Sequence, residues 1–237
     1  MIGTVINTGA IVAGGLCGHF FGRLLKERHQ ETLTMACGVG TLFIGISGAM
    51  NYMLHNELFP DGGSMLVVAC LALGGLIGEI LNIEAGFERF GEWLKVKTGN
   101  TKEAGFVNGF LTASLTVCIG AMAIIGAIQD GITGDWTILG AKAILDLIIV
   151  MVMTCSLGKG CIFSAIPVFL WEGTLTLLAV AVKPLMTDMA MGYLSLVGNV
   201  LIFCVGINLI WGKKIRVANM LPAVFLAVAC AFLPIRF

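Results

Sequence analysis

Eight long apolar runs, separated by charged or Gly/Pro-rich breaks, dominate this chain; they fall at about 2–25, 33–54, 64–83, 105–132, 137–157, 161–186, 192–211 and 219–235. A helix needs about 20 apolar residues, rising about 1.5 Å each, to cross the hydrocarbon of a bilayer. Each run is close to that length. Because unpaired backbone groups are costly in lipid, such runs fold as helices with every peptide bond satisfied internally. The sequence therefore predicts an all-α, polytopic transmembrane helical bundle of about eight spans, one transmembrane domain over 1–237. Composition agrees: 58% of residues are hydrophobic and 12% charged, against about 25% charged in soluble domains. A soluble enzyme and a nucleic-acid binder are excluded. The expected partners are the lipid bilayer and a small ion or polar solute, with no nucleic acid. The first residues turn apolar at once without a basic segment, which predicts a retained first span and not a cleaved signal peptide.

Charge gives the orientation. The breaks after the first, third, fifth and seventh runs carry Arg23, Lys26, Arg28, Arg89, Lys95, Lys97, Lys102, Lys159, Lys213, Lys214 and Arg216, whereas the other side has Lys183 and Arg236. Basic residues collect on the cytoplasmic face, so both termini are expected outside a bacterial cytoplasmic (inner) membrane. The segment 84–104 carries Phe87, Phe90 and Leu94 at helical spacing beside Glu84, Glu88 and Glu92. It reads as an amphipathic helix on the inner interface.

Runs 1–3 and 6–8 share lengths at an offset of about 160, and an odd number of crossings separates them, which predicts an inverted repeat with a site between its halves. The corresponding units are 1–83, 105–157 and 158–237. Gly14, Gly18 and Gly22, Gly74 and Gly78, and Gly105 and Gly109 repeat every four residues. Such faces let backbones approach closely, within one chain or between the copies of a homodimer. The eight cysteines contain no Cys-x-x-Cys pair and read as small buried apolar residues.

Ionisable residues inside a span cost about 2.5–3.5 kcal/mol each on insertion scales and call for a partner or a purpose. Four stand out: Asp130, Lys142, Asp146 and Glu172. Lys142 and Asp146 lie four apart, on one helix face. Pro167 removes a backbone donor just before Glu172 and predicts an interrupted sixth span. Asn108, Thr112, Ser114 and Thr116 on the fourth span, with Gln129 beside Asp130, are candidates to line the same cavity. The expected ion- or substrate-binding set is thus Asp130, Gln129, Lys142, Asp146, Glu172, Asn108, Thr112 and Ser114. No zinc-ligand cluster, phosphate loop, nucleophile elbow or dinucleotide fingerprint occurs, so no catalytic residue, metal or cofactor is expected.

The string Gly109-Phe110-Leu111-Thr112-Ala113-Ser114, then Cys118 through Gly131 ending Ala127-Ile128-Gln129-Asp130-Gly131, then Lys142 and Leu145-Asp146, resembles the bacterial DUF554 inner-membrane family. Met1-Ile2-Gly3-Thr4 with Asn7, Ser164-Ala165-Ile166-Pro167-Val168 and Gly206-Ile207-Asn208-Leu209 add to the resemblance, which covers nearly the whole chain. Trp171-Glu172-Gly173 departs from the Tyr-Gln-Gly-like segment that the family resemblance leads one to expect, which shifts weight toward Asp130, Lys142 and Asp146. The resemblance implies a bacterial cytoplasmic membrane protein and adds no mechanism. From the buried charges, the expectation is a secondary transporter or channel-like permease; the alternative is a non-transporting membrane scaffold or assembly factor.

Overall fold

The computed structural model describes residues 1–22, 24–55, 63–119 and 121–232, without the side chains of residues 27, 55 and 121. Arg23, Gly120, Arg236 and the last residues of the eighth run, on which some expectations rest, lie outside the described residues. Long helices form from the apolar runs: α1 (Ile2–Gly22), α2 (Glu27–His55), α3 (Ser64–Leu81), α4 (Ile83–Lys97), α5 (Phe106–Cys118), α6 (Ala121–Thr133), α7 (Thr137–Leu157), α8 (Ala165–Leu177), α9 (Ala179–Val182), α10 (Asp188–Trp211), α11 (Val217–Met220) and α12 (Pro222–Cys230). Short 3₁₀ turns at Lys159–Ser164 and Lys183–Leu185 precede and follow the α8–α9 region. No strand occurs among the described residues.

Among the described residues, six helices are long and apolar enough to cross a membrane: α1, α2, α3, α7, α8 with its preceding turn, and α10. The expected fourth span is instead two helices, α5 and α6, bent by 62°. The expected eighth span is the shorter apolar stretch Val217–Cys230. Helix α4 forms where the amphipathic segment was expected, and its Phe90 ring meets Phe110 of α5 at 5.8 Å.

Close approaches at glycine give the helix directions. Gly14 lies on Leu147, Gly18 on Met151 and Gly22 on Cys155, so α1 and α7 run parallel at a register difference of 133. Gly38 lies on Ile210, Gly45 on Phe203 and Gly48 on Asn199, so α2 and α10 are antiparallel. Gly74 on Ala223 and Gly78 on Asn219 make α3 antiparallel to α11 and α12. In lipid the apolar effect does not favour helix pairing, so close backbone contact at small residues carries the association. The glycine stripes that could have held a second copy are filled by helices of the same chain.

These directions also fix what the bent pair does. Helix α5 starts beside the end of α7, where Gly105 and Gly109 approach Leu157, and α6 ends at the opposite end, where Asp130 meets Gly3 at the start of α1. The pair traverses the bundle and does not turn back. Loops meet at one end through Lys159 and Glu103 at 2.9 Å, Lys213 with Glu84 at 2.6 Å and Glu88 at 2.5 Å, and Arg216 with Glu79.

The expected three-helix unit 1–83 does not hold together as a unit: α1 takes α7, α2 takes α10, and α3 takes α11 and α12 as principal neighbours. Antiparallel α2–α10 and α3–α12 contacts have the sense that inverted copies would have, but α1 does not follow, and the packing does not confirm a three-span repeat. One apolar core joins α1, α5, α7, α8 and α10, and a second joins α2, α3, α10 and α12. Helix α10 belongs to both.

Candidate functional site

Two breaks in regular helix shape the site. After Cys118 the backbone turns extended at Ile119 (φ −83°, ψ 114°), which ends α5 in the interior of the protein. Carbonyls in the last turn of a helix have no intrahelical donor. Lys142, on α7, reaches across and donates from Nζ to the carbonyl oxygen of Val117 at 2.9 Å. The interruption beside Lys142 is therefore in the fourth span; Pro167 sits in the first turn of α8, where its missing N–H is not needed, and the sixth run breaks further on, at Leu178 between α8 and α9.

Around Lys142 the structure gathers three further side chains. Asp146 pairs with the Lys142 ammonium, as their four-residue spacing predicted. Glu172 of α8 brings Oε1 to 3.6 Å from Nζ. Asn7 of α1 donates from Nδ2 to the same Oε1 at 2.8 Å. All four residues are buried, Asn7 and Glu172 completely. Asn7 lies five residues into α1 and Asp146 nine residues into α7, about 8 and 14 Å along their axes. The cluster thus occupies the middle and the half of the bundle away from the basic loops.

The charges do not balance. One ammonium faces two carboxylates, and burying an uncompensated charge is expensive. Two acceptors at the centre, Glu172 Oε2 and Asn7 Oδ1, are buried with no hydrogen-bond partner, and so is the hydroxyl of Ser114 on α5. Acceptors left without a partner in a buried polar cluster can be satisfied by a cation, a proton or water.

From Glu172 a line of polar groups leads outward. The Thr176 hydroxyl donates to the Glu172 carbonyl at 2.8 Å and lies 3.2 Å from the Thr4 hydroxyl. Next comes Asp130, whose Oδ2 accepts the Gly3 N–H at 3.0 Å and pairs with the Met1 amino group at 2.9 Å. Asp130 therefore belongs to the outer end of this line and not to the Lys142 cluster. Gln129 points elsewhere, donating to Asp135 in the α6–α7 loop at 2.6 Å. Hydrogen bonds from Thr137 hold the Asp135 carboxyl below its ordinary value of 3.8.

Asn108 and Thr112 also stand apart from the cluster. They line a small recess of mixed character near the basic loops, with Glu84, Asn208 and Lys213 beside Leu111, Leu115 and Val205. Thr116 is occupied by the Thr112 carbonyl at 2.7 Å. Of the expected set, then, Lys142, Asp146 and Glu172 converge, Ser114 lies buried on the broken helix, and Asp130, Gln129, Asn108 and Thr112 fall toward the two ends. Asn7 was missed. Its sequence signals are an uncharged amide inside an apolar run and its place beside Met1-Ile2-Gly3-Thr4 in the family resemblance. No group of three metal-ligating side chains occurs among the described residues.

Comparison with known proteins places the chain. Its sequence is 29% identical over 232 residues to the uncharacterized membrane protein YdfK of Bacillus subtilis strain 168, covering 98% of this chain and 96% of that one. It is 32% identical over 232 residues to the uncharacterized protein YqgA of Escherichia coli K12, covering 96% and 95%. No solved structure matches it. The model of the family described as protein of unknown function DUF554 spans residues 2–232, so this membrane protein, with its buried cluster between α1, α5, α7 and α8, belongs to the DUF554 family.

Proposed function

We propose that the protein is a secondary transporter or channel-like permease for a small ion or polar solute. The observation that carries this reading is the unbalanced, incompletely hydrogen-bonded cluster of Lys142, Asp146, Glu172 and Asn7 beside a helix broken inside the bundle. Charged groups within a membrane and interrupted helices are what ion and solute pathways are built from. The recess at Asn108 and Thr112 opens one end of such a path, and the Thr4, Thr176 and Asp130 line forms the other. The basic loops favour a bacterial cytoplasmic membrane with those loops inside and both termini outside.

Purified protein in liposomes on a supported membrane tests this. Jumps in pH, sodium, potassium, amino acids and carboxylates are applied in turn. At least one should give a transient current or a tracer uptake that Asp146→Asn removes while the variant elutes and melts as a folded protein. Unchanged transport in both Asp146→Asn and Lys142→Met would dismiss the assigned site, and no transport by the wild type with any of these would dismiss the reading.

A second reading, a non-transporting scaffold or assembly factor, draws on the same contacts: Lys142 joins α5 to α7 and α8 as a clasp. On that reading, replacing Lys142 and Asp146 together by apolar residues preserves function in the cell; on the transport reading it abolishes it.

A further inference from the structure

The central cluster shows which atoms lack a partner, and their identity narrows what can satisfy them. A carboxylic acid and a primary amide form a closed ring of two hydrogen bonds: the amide N–H donates to one carboxyl oxygen, and the acid O–H donates to the amide oxygen. The first of these bonds is present, from Asn7 Nδ2 to Glu172 Oε1 at 2.8 Å. The two atoms of the second bond, Glu172 Oε2 and Asn7 Oδ1, are the two left without partners. As a carboxylate, Glu172 offers Asn7 Oδ1 nothing but another acceptor. One proton on Oε2 converts two orphaned acceptors into a donor and its acceptor.

The remaining charges point the same way. The groups facing Glu172 are Lys142 and Asp146 from α7, Cys118 from the end of α5, and Asn7 from α1; Asp130 on α6 lies further along the outward line. Lys142 is already engaged by Asp146 and by the Val117 carbonyl. Hard metal cations draw on a shell of several oxygens, whereas the side-chain acceptors that Asn7 and Glu172 leave without a partner are these two. A proton needs one pair.

We propose that Glu172 with Asn7 is a proton-binding site, closed as an acid–amide pair in this conformation, and that the proton is the ion coupled to transport. The coupling part rests on the transport reading above; the binding part does not. The proton comes from water on one side, resides on Glu172 Oε2, and leaves to the other side when the pair opens. Asp146 and Lys142 remain an ion pair throughout.

The test reads protonation and transport separately, on the full chain in lipid nanodiscs and liposomes. Infrared difference spectra between neutral and alkaline pH should show the carbonyl stretch of a protonated carboxyl that Glu172→Gln lacks. Asn7→Ala, which removes both ring bonds, should move that band to higher frequency; because Asn7 also bonds the Asp146 carboxyl, Asp146→Asn, which should keep the band, supplies the assignment if Glu172→Gln does not fold. Absence of the band from wild type at neutral pH overturns the proposal, as does a band that neither Glu172→Gln nor Asn7→Ala changes. A shift in melting temperature on adding sodium, potassium or lithium chloride that wild type shows and Glu172→Gln lacks also overturns it, and assigns the site to a metal ion. In liposomes with an entrapped pH dye, a gradient of whichever solute gave uptake should drive proton movement in wild type and at least tenfold less in Glu172→Gln. The band without proton movement leaves the proton site standing and overturns coupling; solute uptake independent of pH and unchanged in Glu172→Gln overturns coupling while the transport reading stands.

Discussion

A buried ion pair behaves differently when one partner is removed than when both are. With the proton on Glu172, Asp146→Asn leaves the Lys142 ammonium without a counter-charge, and Lys142→Met leaves the Asp146 carboxylate without one. Losing one member of a buried pair costs about 3–5 kcal/mol, while replacing both by apolar groups can be nearly neutral. Either single variant should therefore melt well below wild type in detergent, and Lys142→Met with Asp146→Leu should melt closer to wild type than either one. At the loop end, Lys213 is partly desolvated, which works against its charge, but its bonds and attraction to Glu84 and Glu88 outweigh this and hold it above its ordinary 10.5. A cation held above its unfolded value stabilises the fold below that value, and the contribution is lost as pH rises through the folded one. Stability should therefore fall as pH climbs past about 10.5, and Lys213→Gln should flatten that limb of the melting curve against pH. The Lys142–Asp146 contact was legible because both lie on one helix at a spacing that any helix brings together. Asn7 was not, since its partner is 165 residues away and nothing local marks an amide in an apolar run as one half of a pair.

The same contrast between local and distant cause runs through the helices. Spans could be found because hydropathy belongs to each residue where it stands. The break at Ile119 could not, because Cys118-Ile119-Gly120-Ala121 is as apolar as its neighbours, while Pro167 looked like a break and is accommodated in a first turn. Glycine stripes announced close packing without saying against what; the structure supplies α7 as the answer for α1. A Cβ at Gly18 would collide with the Met151 carbonyl, a backbone atom that cannot turn aside, whereas a Cβ at Gly9 meets nothing within 4 Å. Overpacking costs about 1–3 kcal/mol, more where backbones must part. Gly18→Val should thus sharply reduce the folded protein recovered from membranes, and Gly9→Val should not, as gel filtration of fluorescent fusions will show.

For the molecule as a whole, the parallel α1–α7 contact and the antiparallel α2–α10 and α3–α12 contacts form one consistent alternation, in which the bent α5–α6 pair counts as a crossing. With the basic loops inside, a green fluorescent protein inserted at 99–102 should fluoresce, and one placed ahead of Met1 should not; the reverse result would invert the proposed orientation. Charge counting anticipated the alternation, since each loop reports its own side. It could not anticipate which helices touch. The α1–α7 seam has a consequence for synthesis. Its two faces are 133 residues apart in the chain, so the first helix enters the membrane long before its partner has been translated. Until residues 137–157 emerge, the glycine face of α1 and the amide of Asn7 must wait in lipid or against an insertion factor. Ribosome-stalled chains ending before 137 should on this account be captured by membrane chaperones or degraded, and the Asn7–Glu172 contact cannot form until α8 has followed.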